Sequence, residues 1–311
     1  ERSGEKFRSS MLTFDRDDGK TMCLRPDLTV ASCISFLQKK SSSKIYYSGQ
    51  AYRRSGNKST NFINDQLGIE ILGSKNQIKD DFKVISTILS AAKKIKRKKI
   101  LIKVGDIGLF KNLINALDMP ERWKLRLIRH FWRPSYFEEL LKRLENNTDI
   151  DSVTFDADKQ KFYEMKKIDQ DKVVAGRTIS EILKRFDKKI KDPRSFANGK
   201  TIVKIIKSFL KINCKLSELD GRLLDFAKKN KLKKNIFKDF KSILNLKKLN
   251  QDINFIANFG RDLEYYTGIV FEVFSGKKEI ARGGRYDGLL KSLGAKKNTP
   301  AVGAAINLKN I

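Results

Sequence analysis

The chain has 311 residues, 40% of them hydrophobic, and 66 Lys and Arg against 36 Asp and Glu give it a formal charge of +30. That length supplies one large or two ordinary domains, and no apolar run is long enough to cross a bilayer or to read as a signal peptide. Cys23, Cys33 and Cys214 have neither metal-ligand nor disulfide-framework spacing, so no metal is expected and a reducing cytoplasm is the expected setting.

The charge has two readings. One is a polyanion partner such as RNA or a phosphate-rich substrate. The other is compositional: lysine outnumbers arginine, is spread through every segment, and comes with abundant Asn and Ile. The densest run, Lys93 to Lys99, closes a predicted helix, where cations suit the helix dipole. The compositional reading is preferred, so no specific nucleic acid is expected. The chain opens on a polar segment without Met, as expected if residues precede Glu1.

In chain order, residues 11–24 read as a hairpin, with Asp17-Asp18-Gly19 as the turn. Arg25-Pro26-Asp27 stops the second strand, and Asp27 or Thr29 can cap a helix running to about Lys39. Residues 44–54 alternate like a strand and 67–72 form a short apolar one. From Gln77 to Arg97 the pattern is helical, with Ile78, Phe82, Ile85, Leu89 and Ala92 on one face. Residues 99–104 read as a buried strand. Residues 105–250 are mostly helical, with Pro120 and Pro134 in first helical turns and a looser polar stretch at 146–177. Strand signals return at 253–259, 265–274, 278–282 and 301–308, with Gly276 in a turn. The predicted class is α+β: a mainly antiparallel sheet with flanking helices, its halves at 1–104 and 251–311, split by a helical block at 105–250.

Four stretches carry chemistry. Asp27 and Thr29, at a strand-to-helix turn, can offer a carboxylate and a hydroxyl to an ammonium group, though taken alone a plain helix cap explains them better. Arg53 and Arg54 end a strand and point to opposite faces, so one can meet a carboxylate or phosphate. Gln66, Gly68 and Glu70 share one strand face, with the glycine leaving room for a ligand, and a buried Glu demands a partner. The last stretch pairs Arg261-Asp262-Leu263-Glu264-Tyr265-Tyr266 with Arg282-Gly283-Gly284-Arg285-Tyr286-Asp287-Gly288. It matches neither a P-loop nor a dinucleotide fingerprint. Arginine, carboxylate and phenol together suit a small zwitterion. His130, the lone histidine, sits beside aromatics and reads as packing.

The order LRPDLT, YYSGQAYRR, QLGIE, RDLEYYTG, GGRYDGLL, PAVGAAINL resembles the catalytic core of histidyl-tRNA synthetases, which are class II enzymes. The resemblance covers roughly 1–95 and 251–311. Residues 105–131 are more similar to the synthetase paralogue, the regulatory subunit of ATP phosphoribosyltransferase. The resemblance implies a class II synthetase-like fold and a histidine pocket at Asp27, Thr29, Gln66, Glu70, Tyr265, Tyr266 and Tyr286, with Arg53 and Arg261 as carboxylate contacts or relics. Against the synthetase pattern, Ser55 replaces the adenine-reading acid and Asn310 the triphosphate-binding arginine. An anticodon-binding domain is not expected. The implied role is a non-catalytic regulatory subunit, without cofactor, that joins a short-form catalytic subunit in a hetero-oligomer, a hetero-octamer in that family. There it serves the first step of histidine biosynthesis, with histidine as feedback effector. The rival expectations are a truncated synthetase that activates histidine with ATP, and a basic RNA-binding module.

Overall fold

The computed structural model describes residues 9–39, 44–54, 62–95, 99–148, 152–174, 177–192, 197–233, 235–237, 241–261 and 265–310. Asp17-Asp18-Gly19 closes the first hairpin as its sequence predicts. β1 (Thr13–Asp15) pairs antiparallel with β2 (Thr21–Cys23), and Gly19 takes φ +75°, which a side chain would resist. Helix α1 (Thr29–Lys39) follows, capped by Asp27, whose Oδ1 accepts from the Val30 amide at 3.0 Å. β3 (Lys44–Tyr52) and β4 (Ile63–Leu72) then pair antiparallel. β4 begins four residues before its apolar signal, because Ala51 and Tyr52 of β3 continue the ladder onto Asn64 and Ile63.

Helix α2 (Gln77–Ile95) crosses the sheet. Its buried face is Asp81, Val84, Ile85, Ile88, Leu89 and Ala92, and each of the buried Val, Ile and Leu side chains there is worth about 1.5–3 kcal/mol. Ile78, expected on that face, is exposed. Asp81 holds the core-facing position because Arg285 neutralises it. β5 (Ile100–Asp106) leads into α3 (Ile107–Ala116), capped by Asp106, which accepts from the Leu109 amide at 3.1 Å.

The chain folds as two compact units, 1–113 with 208–311, and 114–207. The second unit holds α4 (Glu121–His130), α5 (Pro134–Asn146), α6 (Ser152–Met165), the small hairpin β6 (Val173–Val174) and β7 (Arg177–Thr178), and α7 (Ile179–Lys191). Pro134 is the first residue of α5, whereas Pro120 sits one position before α4. The stretch 146–177, read as loose, contains α6. Its polarity hides an apolar edge, Phe162, that packs on Ile179 and Leu183 of α7. His130 packs edge-on against Tyr136, centroids 4.8 Å apart. α8 (Gly199–Leu210) returns the chain to the first unit.

There β8 (Asn213–Lys215) and α9 (Leu219–Lys229) precede α10 (Lys241–Asn245) and β9 (Asp252–Ile256). Phe209, Phe226 and Phe237 pack together beside them, rings 5.6 to 6.1 Å apart. β10 (Ile269–Ser275), β11 (Lys278–Arg285), α11 (Leu289–Ser292) and β12 (Ala301–Asn307) complete the unit, with Gly276 at φ +62° in the β10–β11 turn. The strands form one eight-stranded sheet in the order β3-β4-β12-β11-β10-β5-β9-β8, antiparallel except for β5 with β9. The fold is therefore α+β, a largely antiparallel sheet with helices, as the strand signals implied. Among the described residues no helix is long and apolar enough to cross a membrane.

Candidate functional site

One sheet face is floored by small residues. Register places Gly68 between Tyr47 and Ala305, Glu70 between Ile45 and Gly303, and Gly303 beside Gly284. A Cβ on Gly303 would overlap the Glu70 carboxylate, and one on Gly68 would overlap the Tyr47 ring. A Cβ on Gly284 would lie 2.7 Å from the Tyr266 ring. The glycines thus clear the volume that these three side chains occupy. The room over Gly68, which the sequence offered to a ligand, is filled by Tyr47.

Glu70 is fully buried at the centre of this face. Thr29 Oγ1 donates to its Oε1 at 2.8 Å, the Tyr47 hydroxyl donates to the same oxygen at 3.2 Å, and the Tyr286 hydroxyl donates to Oε2. Burial pushes its carboxyl up to about 7 even though those three hydroxyls favour the charged form. Burial also raises Asp27, against the Val30 amide bond and the charge of Arg53. Cys33 is buried within reach of both acids, and burial pushes its thiol up. Tyr265 lies edge-on to both Tyr266 and Tyr286, with centroids at 5.0 and 5.9 Å. Burial raises the Tyr265, Tyr266 and Tyr286 phenols, so all three are neutral hydroxyls at physiological pH.

Arg53 enters from the end of β3. Its amide donates to the Phe62 carbonyl at 2.8 Å, and a bridge to Met11 ties it to the segment before the first hairpin. Burial lowers its basicity, opposed by Asp27, and Arg282 lowers it further. Arg282, on β11, is gripped by two acids. Its Nε and Nη2 donate to the two oxygens of Glu279, each at 2.6 Å, and Nη2 also donates to Glu272 at 3.2 Å. The Asn310 side chain donates to the Glu279 carbonyl at 2.7 Å.

Of the nine residues the sequence proposed, seven stand in this neighbourhood: Asp27, Thr29, Arg53, Glu70, Tyr265, Tyr266 and Tyr286. Gln66 is buried on the same face, further along β4, opposite Gly49 and Asn307. Arg261 is buried after β9, and its Nη1 donates to Asn258 Oδ1 at 2.7 Å. Asp262, Leu263 and Glu264, like Ser55, lie outside the described residues.

Arg285 and Asp287, inside the same glycine motif as Tyr286, do a different job. Arg285 donates to Asp81 at 2.6 and 3.0 Å, to Asp287 at 2.9 Å and to the Gln77 carbonyl at 3.2 Å. Asp287 also accepts from the Ala301 amide at 2.8 Å. This clamp ties α2 to β11 and sets the loop that aims Tyr286 at Glu70. Tyr47 and Arg282 stand inside two of the stretches singled out in the sequence, but neither is among the nine proposed site residues. Tyr47 was legible from the period-two face it shares with Gly49. Arg282 needed the strand register, which places it opposite Glu272.

The family model for histidyl-tRNA synthetase matches residues 1–311. The chain belongs to the histidyl-tRNA synthetase family. Within it, a relative from Brucella anthropi is 28% identical over 332 residues, covering 99% of this chain and 88% of its own. One from Allorhizobium ampelinum is 29% identical over 330 residues, with the same coverage. Both are named ATP phosphoribosyltransferase regulatory subunit.

Two solved structures share the synthetase fold. One, from Bacillus halodurans, is described as an ATP phosphoribosyltransferase regulatory subunit/histidyl-tRNA synthetase. It superposes with a TM-score of 0.57 at 17% identity, covering 96% of this chain and 66% of its own. The other, a histidyl-tRNA synthetase from Nostoc sp., gives 0.57 at 15% identity, covering all of this chain and 64% of its own. The chain therefore spans just under two thirds of each of these structures.

Proposed function

We propose that this synthetase-family protein is a non-catalytic regulatory subunit of ATP phosphoribosyltransferase. It joins a short-form catalytic subunit in a hetero-oligomer, a hetero-octamer by family habit, and passes histidine's feedback signal to the first step of histidine biosynthesis. The observation that carries the reading is the asymmetry of the pocket face. At one end, acids and hydroxyls remain assembled for a cationic amino group: Asp27, Thr29, Glu70, Tyr265, Tyr266 and Tyr286. At the other end, the surface is knitted to itself, with Arg282 engaged by Glu272 and Glu279 and the Asn310 amide turned onto the Glu279 carbonyl. An amide at Asn310 brings no positive charge to a polyphosphate. The names of relatives spanning 99% of the chain support the same reading.

In this reading the effector's ammonium meets Asp27 and Glu70, its carboxylate meets Arg53 or Arg261, and Gln66 and a Tyr265 or Tyr266 hydroxyl complete the contacts. Histidine shifts the oligomer only as far as its affinities for the two arrangements differ. Calorimetry with histidine, with and without the short catalytic subunit, tests this: heat of binding is expected, and a change of inhibition in the complex. Silence in both settings removes the sensor role.

Family membership itself favours a second reading, a synthetase that activates histidine. Histidine-dependent exchange of pyrophosphate into ATP by the purified protein would establish that reading and end the first.

A further inference from the structure

Arg282 opens the glycine motif without being one of the proposed site residues, and the sheet places it on the same face as Glu70. It pairs with Glu272 on β10 and with Ala305 on β12, and Ala305 in turn lies beside Gly68. Between Arg282 and the acids the floor is therefore Ala305, Gly303 and Gly284, with the Glu70 carboxylate lying over Gly303 and the Tyr266 ring over Gly284. Both Arg53 and Tyr266 are within electrostatic reach of the Arg282 guanidinium, and Arg53 is also within reach of Asp27. Two guanidinium groups thus lie within electrostatic reach of one another on the side of Asp27.

The orientation of Arg282 is fixed by its partners. Glu279 takes one N–H from Nε and one from Nη2, and Glu272 takes the second N–H of Nη2. Nη1, with two donors, has no hydrogen-bond partner among the described residues. A guanidinium held along one edge by carboxylates is a rigid platform, and its remaining nitrogen is aimed without further loss of side-chain freedom. Lysine, the commoner cation in this chain, cannot be held by one edge while presenting another.

We propose that Arg282 reads the carboxylate of the effector through Nη1, beside Arg53, so that the pocket selects an intact zwitterionic amino acid over the corresponding amine. The inference rests on the effector-site reading above and adds its specificity determinant. The ligand's ammonium answers Asp27 and Glu70, and its carboxylate answers Arg53 and the edge of Arg282 that Glu272 and Glu279 leave open. A purely structural Arg282, bracing β10 to β11 through its two glutamates, would affect stability without distinguishing ligands.

The test compares histidine with histamine, which keeps the imidazole and the amine but lacks the carboxylate, by calorimetry on the full chain and on its complex with the catalytic subunit. Wild-type protein is expected to prefer histidine. Arg282→Gln is expected to weaken histidine by about tenfold or more, the effect of losing one charge-assisted hydrogen bond, and to leave histamine unchanged. Arg282→Lys keeps the charge beside Glu272 and Glu279 and guards against a folding failure; it too should weaken histidine selectively. Equal weakening of both ligands, or no change in either, overturns the assignment while leaving the effector site standing. Wild-type protein that binds neither ligand removes the effector site and this inference together.

Discussion

Glu70 is a carboxyl group ringed by hydroxyl donors and sealed from water, and its ionisation is coupled to everything around it. Its folded value of about 7 lies above its ordinary 4.5, so between those values the unfolded chain holds fewer protons than the native one. Stability from this group is therefore full below about pH 4.5 and is lost as pH rises through about 7. Asp106, raised to about 6 by burial, adds a loss in the same direction. Thermal melts should show the midpoint falling across this window, and Glu70→Gln should flatten the slope in part, with Asp106 and the other buried acids, Asp27 and Asp81, supplying the remainder. In the proposed complex an ammonium beside Glu70 favours its charged form. Histidine binding near pH 7 should then release protons, read as a calorimetric enthalpy that depends on the ionisation heat of the buffer. An enthalpy independent of buffer would separate the ligand from Glu70.

The clamp from α2 to the sheet shows how one element depends on another. Arg285 and Asp81 are almost completely buried, at 6% and 2% side-chain exposure. Asp81→Ala leaves the buried guanidinium with Asp287 as its one carboxylate among the described residues and is expected to cost up to about 3–5 kcal/mol, seen as a lower urea midpoint at unchanged slope. Gly68→Ala pushes the Tyr47 ring off β4 and should cost about 1–3 kcal/mol, as overpacked positions do. The clamp also marks the limit of reading elements from sequence. Periodicity found α2 and most of its apolar face, because Ile85, Leu89 and Ala92 face the core whatever the neighbours are. It misassigned Ile78 and passed over Asp81, because the choice between them was made by an arginine some 200 residues away. Part of the candidate site was legible for a different reason: Gln66, Gly68 and Glu70 share a strand face by local geometry alone. The contacts of Arg282 were not, since its neighbours come from strand register, a property of the assembled sheet. Helix α6 stayed hidden because Phe162 gains its partners only from α7.

At the scale of the whole molecule, the excess of 66 cationic over 36 anionic side chains will attract polyanions without a specific site. Retention on an RNA column should disappear near physiological salt; binding that survived there would revive the RNA-binding alternative. The sheet that carries the candidate site imposes a constraint on how the protein can change over generations. Gly303 and Glu70 face each other on neighbouring strands, and the carboxylate occupies the volume that a side chain on Gly303 would need. Gly303 can accept no larger residue while Glu70 remains. If Glu70 shortened first, it would leave Thr29, Tyr47 and Tyr286 without their shared acceptor. The two positions therefore behave as a single heritable unit. Gly303→Ala should be severe alone and milder in a Glu70→Ala background, with a coupling of about 1–3 kcal/mol in a double-mutant cycle. A lineage that abandoned amino-acid recognition would be free to lose the pair together, and one that keeps it must keep both.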